Sequence, residues 1–168
     1  MLASVISAIV FLAIFSAYIF MARNLTRLAN FQQQQVQDRR AFYVVSKDVN
    51  DATNVTSATS TSLSLTLSSG ASIDYTYTPP IPGPPLIPGT LTRRVNGVMP
   101  APILLSNLTS FTFNYFNQTG VGPASMINTK QIEMVYSSAV GDGANGTRAP
   151  DNVVSSRMVM RGRPAFGQ

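Results

Sequence analysis

Residues 1–52 read MLASVISAIVFLAIFSAYIFMARNLTRLANFQQQQVQDRRAFYVVSKDVNDA and contain neither glycine nor proline; the first of either is Gly70. A run without helix breakers that begins apolar and turns amphipathic predicts one continuous α-helix. At a rise of about 1.5 Å per residue it would reach roughly 75–80 Å, well beyond an ordinary globular helix. Residues 1–22 carry no charged side chain. Roughly 20 apolar residues cross the hydrocarbon core of a bilayer, so residues 1–22 are expected to form a transmembrane helix. The competing structure, a cleaved secretory signal, would open on basic residues and hold an apolar run of only about 7–15 residues. Small residues recur at four-residue spacing within the span: Ala3 with Ser7, Ser4 with Ala8, and Ala13 with Ala17. That spacing lets helices approach closely in lipid, and these six are the expected helix-packing residues.

Residues 23–52 read as the amphipathic continuation of the helix. Phe42, Val45, Val49 and Ala52 follow one another at steps of three, four and three, which places them on one helical face. Arg39, Arg40, Lys47, Asp48 and Asp51 supply the polar side, expected to be solvated or to meet a partner subunit. Asp48 and Asp51 stand close to the helix C-terminus, where the macrodipole disfavours an anion by a few tenths of a kcal/mol, about 0.3 or more.

Residues 53–168 follow other rules. All 11 glycines and 11 prolines lie from Gly70 onward. Ser62–Leu67 and Ser72–Thr78 alternate apolar and polar residues around a short turn and predict a β-hairpin. Residues 78–89 are proline-rich and can be neither helix nor central strand. They are expected to form an exposed polyproline-like loop or a recognition segment for a partner. Residues 90–95 precede Asn96-Gly97, a strong turn signal. Residues 109–116 and 130–136 alternate clearly, and residues 153–161 predict a last strand. Together these describe an α+β chain, with a long N-terminal helix packed on a mostly antiparallel sheet head. Its helix-to-sheet contacts would come from Phe42, Val45 and Val49.

The composition removes whole classes of chemistry. There is no cysteine and no histidine, and Glu133 is the one glutamate. Thiolate nucleophiles, imidazole bases and the usual zinc sites are excluded. No phosphate-binding glycine loop or nucleophile elbow is present. No catalytic, cofactor-binding or metal residue is expected, and no small-molecule substrate. Asp142, Asn145 and Asp151 put oxygen ligands in a glycine-rich loop, but without calcium-loop spacing they read as an ordinary loop. Five N-x-T triplets begin at Asn24, Asn54, Asn107, Asn117 and Asn145 and follow from the abundance of threonine. The formal charge is +5, which suits acidic partners such as anionic lipid or nucleic acid. Arg157, Arg161 and Arg163 could touch phosphate, but no aromatic ladder accompanies them.

The order of parts resembles the type IV pilin superfamily, which includes the pseudopilins of type II secretion. Residues 1–9, Met-Leu-Ala-Ser-Val-Ile-Ser-Ala-Ile, are similar to the stretch that follows the conserved glutamate of mature pilins. Residues 37–52, Gln-Asp-Arg-Arg-Ala-Phe-Tyr-Val-Val-Ser-Lys-Asp-Val-Asn-Asp-Ala, resemble the helix end of W-class minor pilins and J-class pseudopilins. Residues 63–67, 91–97 and 105–116 resemble strands of those heads in the same order. The resemblance implies a structural, non-enzymatic subunit. It would be a single-pass protein of the bacterial inner membrane, with its head in the periplasm or cell exterior. It would assemble through its N-terminal helix with other pilin or pseudopilin subunits and with inner-membrane lipid. The family's leader peptide, cleavage glycine and glutamate are not among the residues quoted. The resemblance leads one to expect them encoded in frame upstream of Met1, together with basic residues preceding the span. The alternative is a membrane-tethered adhesin or nucleic-acid-binding module using the proline loop or the arginines.

Overall fold

The computed structural model of the chain describes residues 2–83, 87–138 and 152–162. The protein is α+β: one helix, α1 (Leu2–Asp51), precedes seven strands. These are β1 (Ala52–Ala58), β2 (Ser62–Leu67), β3 (Ser72–Thr78), β4 (Gly89–Val95), β5 (Ile103–Phe116), β6 (Gln131–Ser138) and β7 (Asn152–Val159). The chain divides into two compact units, Met1–Val36 and Gln37–Gln168. The first is helix throughout its described residues, and its described apolar side chains from Ile9 to Phe31 are exposed. This helix is long and apolar enough to cross a membrane.

In the second unit the strands form one sheet in the order β1-β2-β3-β4-β5-β6-β7, every neighbour antiparallel. Alternation sends one side of β2, β3, the second half of β5 and β6 into the core, as in a sheet with one buried face. Leu63 and Leu65 of β2 stand opposite Tyr75 and Ile73 of β3. Phe111, Phe113 and Tyr115 of β5 stand opposite Tyr136, Met134 and Ile132 of β6. All are buried. Aromatic rings fill the width that one helix cannot cover. Phe111 and Phe113 meet edge to face at 4.7 Å, and Tyr77 of β3 reaches Phe111 at 5.4 Å across the start of β4. Gly89 makes this possible, since a Cβ there would lie 3.0 Å from the Tyr77 ring. The β1–β2 turn folds onto the same face. The Tyr115 hydroxyl donates to the carbonyl of Thr59 at 2.7 Å, and the Phe113 amide donates to that of Ser60 at 2.9 Å.

The helix closes this core with Ala41, Val45 and Val49, which belong to one apolar cluster with Leu63, Ile73 and Phe113. Of the expected face, Val45 and Val49 are buried, while Ala41 takes the inner place expected of Phe42. Phe42 is 37% exposed, because the buried stripe advances in four-residue steps from Ala41 and Phe42 is rotated about 100° from it. Two other boundaries differ from expectation. Ala52, read as the helix end, opens β1. That strand escaped the alternation reading because its pairing with β2 shifts register twice, between Ala52 and Asn54 and between Val55 and Ser57. Strand β5 begins at Ile103, six residues before the expected start, with its own register shift between Leu108 and Ser110.

The last helical carbonyls, orphaned by helix geometry, find partners just beyond the ends of β2 and β7. The Ser68 amide donates to the Asp51 carbonyl at 3.1 Å and the Gly162 amide to that of Asn50 at 3.2 Å. A Cβ on Gly162 would sit 2.9 Å from the Ala52 carbonyl oxygen. Gly162→Ala is therefore expected to push position 162 off the helix terminus and cost about 1–2 kcal/mol, within the range of overpacking a close contact. Equilibrium denaturation of the full chain in detergent measures this; an unchanged midpoint would mean that the contact is dispensable.

Candidate functional site

The helix meets the middle of the sheet through a charge rather than through apolar residues alone. Asp48 lies between Val45 and Val49 on the inner stripe and is 4% exposed. Register sets Tyr75 of β3 directly opposite Arg93 of β4, and both side chains turn to this carboxylate. The Tyr75 hydroxyl donates to Asp48 Oδ2 at 2.5 Å. Arg93 Nε donates to Oδ2 at 2.7 Å and Nη2 to Oδ1 at 3.1 Å, a two-pronged pairing. Burial, and then the charge and hydrogen bond of Asp48, hold the Tyr75 hydroxyl far above its ordinary 10.0. The hydrogen bond to Asp48 pushes the Arg93 guanidinium upward against burial. Burial likewise raises Tyr115, and it raises Tyr136 with help from the nearby Asp38 carboxylate.

These tyrosines make the head sensitive to alkali. A tyrosine raised above its unfolded value contributes stability that is complete below pH 10 and is lost as pH climbs beyond it. Stability is expected to be level just below pH 10 and then to fall by about 1.4 kcal/mol per pH unit for each tyrosine that stays neutral only when folded. Tyr75→Phe should flatten that slope. Denaturation series across this range would show it; identical slopes for the two proteins would contradict the assignment.

Beside the lock lies an open cleft of about 430 Å³. The helix supplies Gln37, Arg40 and Val44; β4 and β5 supply Arg93, Ile103 and Ser106. Ser106 Oγ donates to Gln37 Oε1 at 3.1 Å across its base. Ile103 is 63% exposed. The helix surface turned away from the sheet carries Arg39, Tyr43 and Lys47, all exposed.

The opposite face of the sheet is polar and internally neutralised. One row runs Ser64, Asp74, Arg94 across β2, β3 and β4. Ser64 Oγ donates to Asp74 at 2.7 Å, and Arg94 Nη2 reaches the same carboxylate at 3.1 Å. A second runs Asn114, Glu133, Arg157 across β5, β6 and β7. Asn114 Nδ2 donates to Glu133 at 3.0 Å, Arg157 stands 3.7 Å from it, and the guanidinium lies 3.8 Å over the Phe116 ring.

Of the residues picked out from sequence, Val45 and Val49 are buried beneath the sheet and Phe42 stands beside them at the surface. Ser7, Ala13 and Ala17 are exposed on the apolar helix, while the side chains of Ala3, Ser4 and Ala8 lie outside the described residues. The proline loop is pinched by Ile81 and Ile87, which exchange backbone hydrogen bonds at 3.0 and 3.3 Å with both side chains exposed. Residues 84–86 between them, the loop with Asp142, Asn145 and Asp151, and Arg163 lie outside the described residues. Among the described residues no cluster of histidine, cysteine, aspartate or glutamate could hold a metal ion. Sequence reading placed Asp48 on the solvated side and so missed the lock. The signal was its position three residues after Val45 and one before Val49, on the stripe itself.

No protein-family model matches the chain, and no curated protein is significantly similar to it.

Proposed function

We propose that the chain is a structural subunit of a type IV pilin-like assembly, a W-class minor pilin or J-class pseudopilin. It would be inserted in the bacterial inner membrane by α1 and assembled through it. One observation carries this reading. A single unbroken helix, Leu2–Asp51, has an exposed apolar run at its start, while its last turns enter the core of a seven-stranded sheet. An exposed apolar surface of that extent needs lipid or other helices to cover it, and Ser7, Ala13 and Ala17 offer the small side chains that close helix packing uses. The likeness of residues 1–9, 37–52, 63–67, 91–97 and 105–116 to that superfamily, in order along the chain, supports the same conclusion. In this reading the head sits on the far side of the membrane and works by packing against other subunits, with no chemistry of its own.

The competing reading is a plain membrane tether for an adhesive or nucleic-acid-binding head. Against it, Arg157, one of the arginines that reading would use, stands 3.7 Å from Glu133 and lies over the Phe116 ring, which makes it a poorer phosphate ligand; Arg161 is exposed and Arg163 lies outside the described residues. Affinity capture of the tagged full chain from its own cells, after extraction in neutral detergent, separates the two. Recovery of other subunits built on the same apolar helix is the expected result. Recovery of the chain with lipid alone, or salt-sensitive recovery with nucleic acid, would favour the tether.

A further inference from the structure

We propose that the cleft between the helix and strands β4 and β5 binds a carboxylate set beside an apolar side chain, presented by a segment of another protein. Two guanidinium groups line it, Arg40 and Arg93, against one carboxylate, Asp48, behind its wall. Arg93 commits Nε and Nη2 to Asp48, and its Nη1 keeps its donors. Asp48 already accepts three hydrogen bonds, from Arg93 and Tyr75. Arg40 makes no ion pair among the described residues. One positive charge therefore stands uncompensated in the cleft.

Apart from Gln37 and Ser106, which bond each other, the remaining wall is apolar. Val44, Pro102 and Leu104 form it, and Ile103 projects from its rim at 63% exposure. A volume of about 430 Å³ falls within the roughly 300–1,000 Å³ typical of ligand pockets. Cation and apolar wall together select an acidic side chain with an aliphatic neighbour over a bare phosphate, which would leave the rim uncovered. A second copy of the chain is a poor source for that carboxylate. Among the described residues Asp38 and Asp48 are buried, while Asp74 and Glu133 are paired with Arg94 and Arg157. Asp51, beside the closed helix terminus, is the one exposed carboxylate left. The occupant is taken to be a segment of a different protein on the complementarity of charge and apolar surface alone, and the inference stands whether or not the chain assembles into a fibre.

The test uses the full chain in neutral detergent and the fluorescence anisotropy of a labelled, end-blocked peptide with glutamate between two leucines. Binding is expected with a Kd below about 1 mM. Replacing the glutamate by glutamine, or Arg40→Gln in the protein, should each weaken binding about tenfold, the loss of one charge-assisted hydrogen bond. Arg39→Gln, outside the cleft, should change it less than about twofold. Near-ultraviolet circular dichroism verifies that the variants keep their tyrosine core. The proposal is overturned by equal affinity for the glutamate and glutamine peptides, or by equal losses from the two arginine variants. It is also overturned by displacement with inorganic phosphate at the peptide's own concentration, or by no binding up to about 1 mM.

Discussion

Asp48→Ala should lower the stability of the head by about 3 kcal/mol, a drop of roughly 10 °C in its melting midpoint. The variant removes the acceptor of three hydrogen bonds at once. It leaves the Tyr75 hydroxyl buried without a partner and the Arg93 guanidinium, 23% exposed, facing an apolar stripe. Breaking a buried ion pair from one side costs about 3–5 kcal/mol because the surviving charge keeps its desolvation penalty. The partial exposure of Arg93 places this case at the lower end. Replacing all three members by apolar groups, Asp48→Leu with Tyr75→Phe and Arg93→Met, should recover most of that loss, since no buried group is then left unsatisfied. A triple variant as unstable as Asp48→Ala would show that the lock contributes by some route other than mutual satisfaction.

Val45→Asp should have the larger effect and abolish the cooperative transition of the sheet. Val45 is fully buried among strand residues, and an unpaired carboxylate there costs several kcal/mol, on the order of the whole stability of a domain of about 5–15 kcal/mol. Phe42→Ala, at the adjacent position, removes a larger side chain and should cost less than about 1 kcal/mol, because that ring is already partly solvated. The pair tests the helix orientation without relying on residue size. Comparable losses at the two positions, read from the near-ultraviolet signal of the buried tyrosines, would return Phe42 to the inner face.

What could be read from residues alone follows a physical divide. The hairpin Ser62–Leu67 with Ser72–Thr78 appears at its expected bounds, because one face is apolar and the other is serine and threonine with one aspartate, Asp74. The long helix was legible because nothing before Gly70 can break it. β1 was not, since two register shifts scramble its alternation. The first residues of β5 were hidden because Leu104 and Leu105 are adjacent and Leu108 follows after three, a spacing that belongs to no single period. Val45 and Val49 were read correctly on the helix face, and Phe42 was not. Phe42 attracts attention as the largest apolar side chain, yet the small Ala41 occupies the inner position, where close approach to the sheet leaves least room. Asp48 was misread because an aspartate on a helix is ordinarily solvated, and its partners lie 27 and 45 residues away. No local pattern carries contacts of that range.

The central claim is that the apolar part of α1 packs against the helices of other subunits. The most direct measurement is site-specific photo-crosslinking in the chain's own cells, with a photoreactive residue at position 13 or 17, where Ala13 and Ala17 stand exposed in the small-residue stripe. The account predicts discrete protein adducts at both positions, whose partner peptides map to the apolar helices of other subunits. Adducts with lipid alone at both positions would contradict it and reduce α1 to a membrane tether.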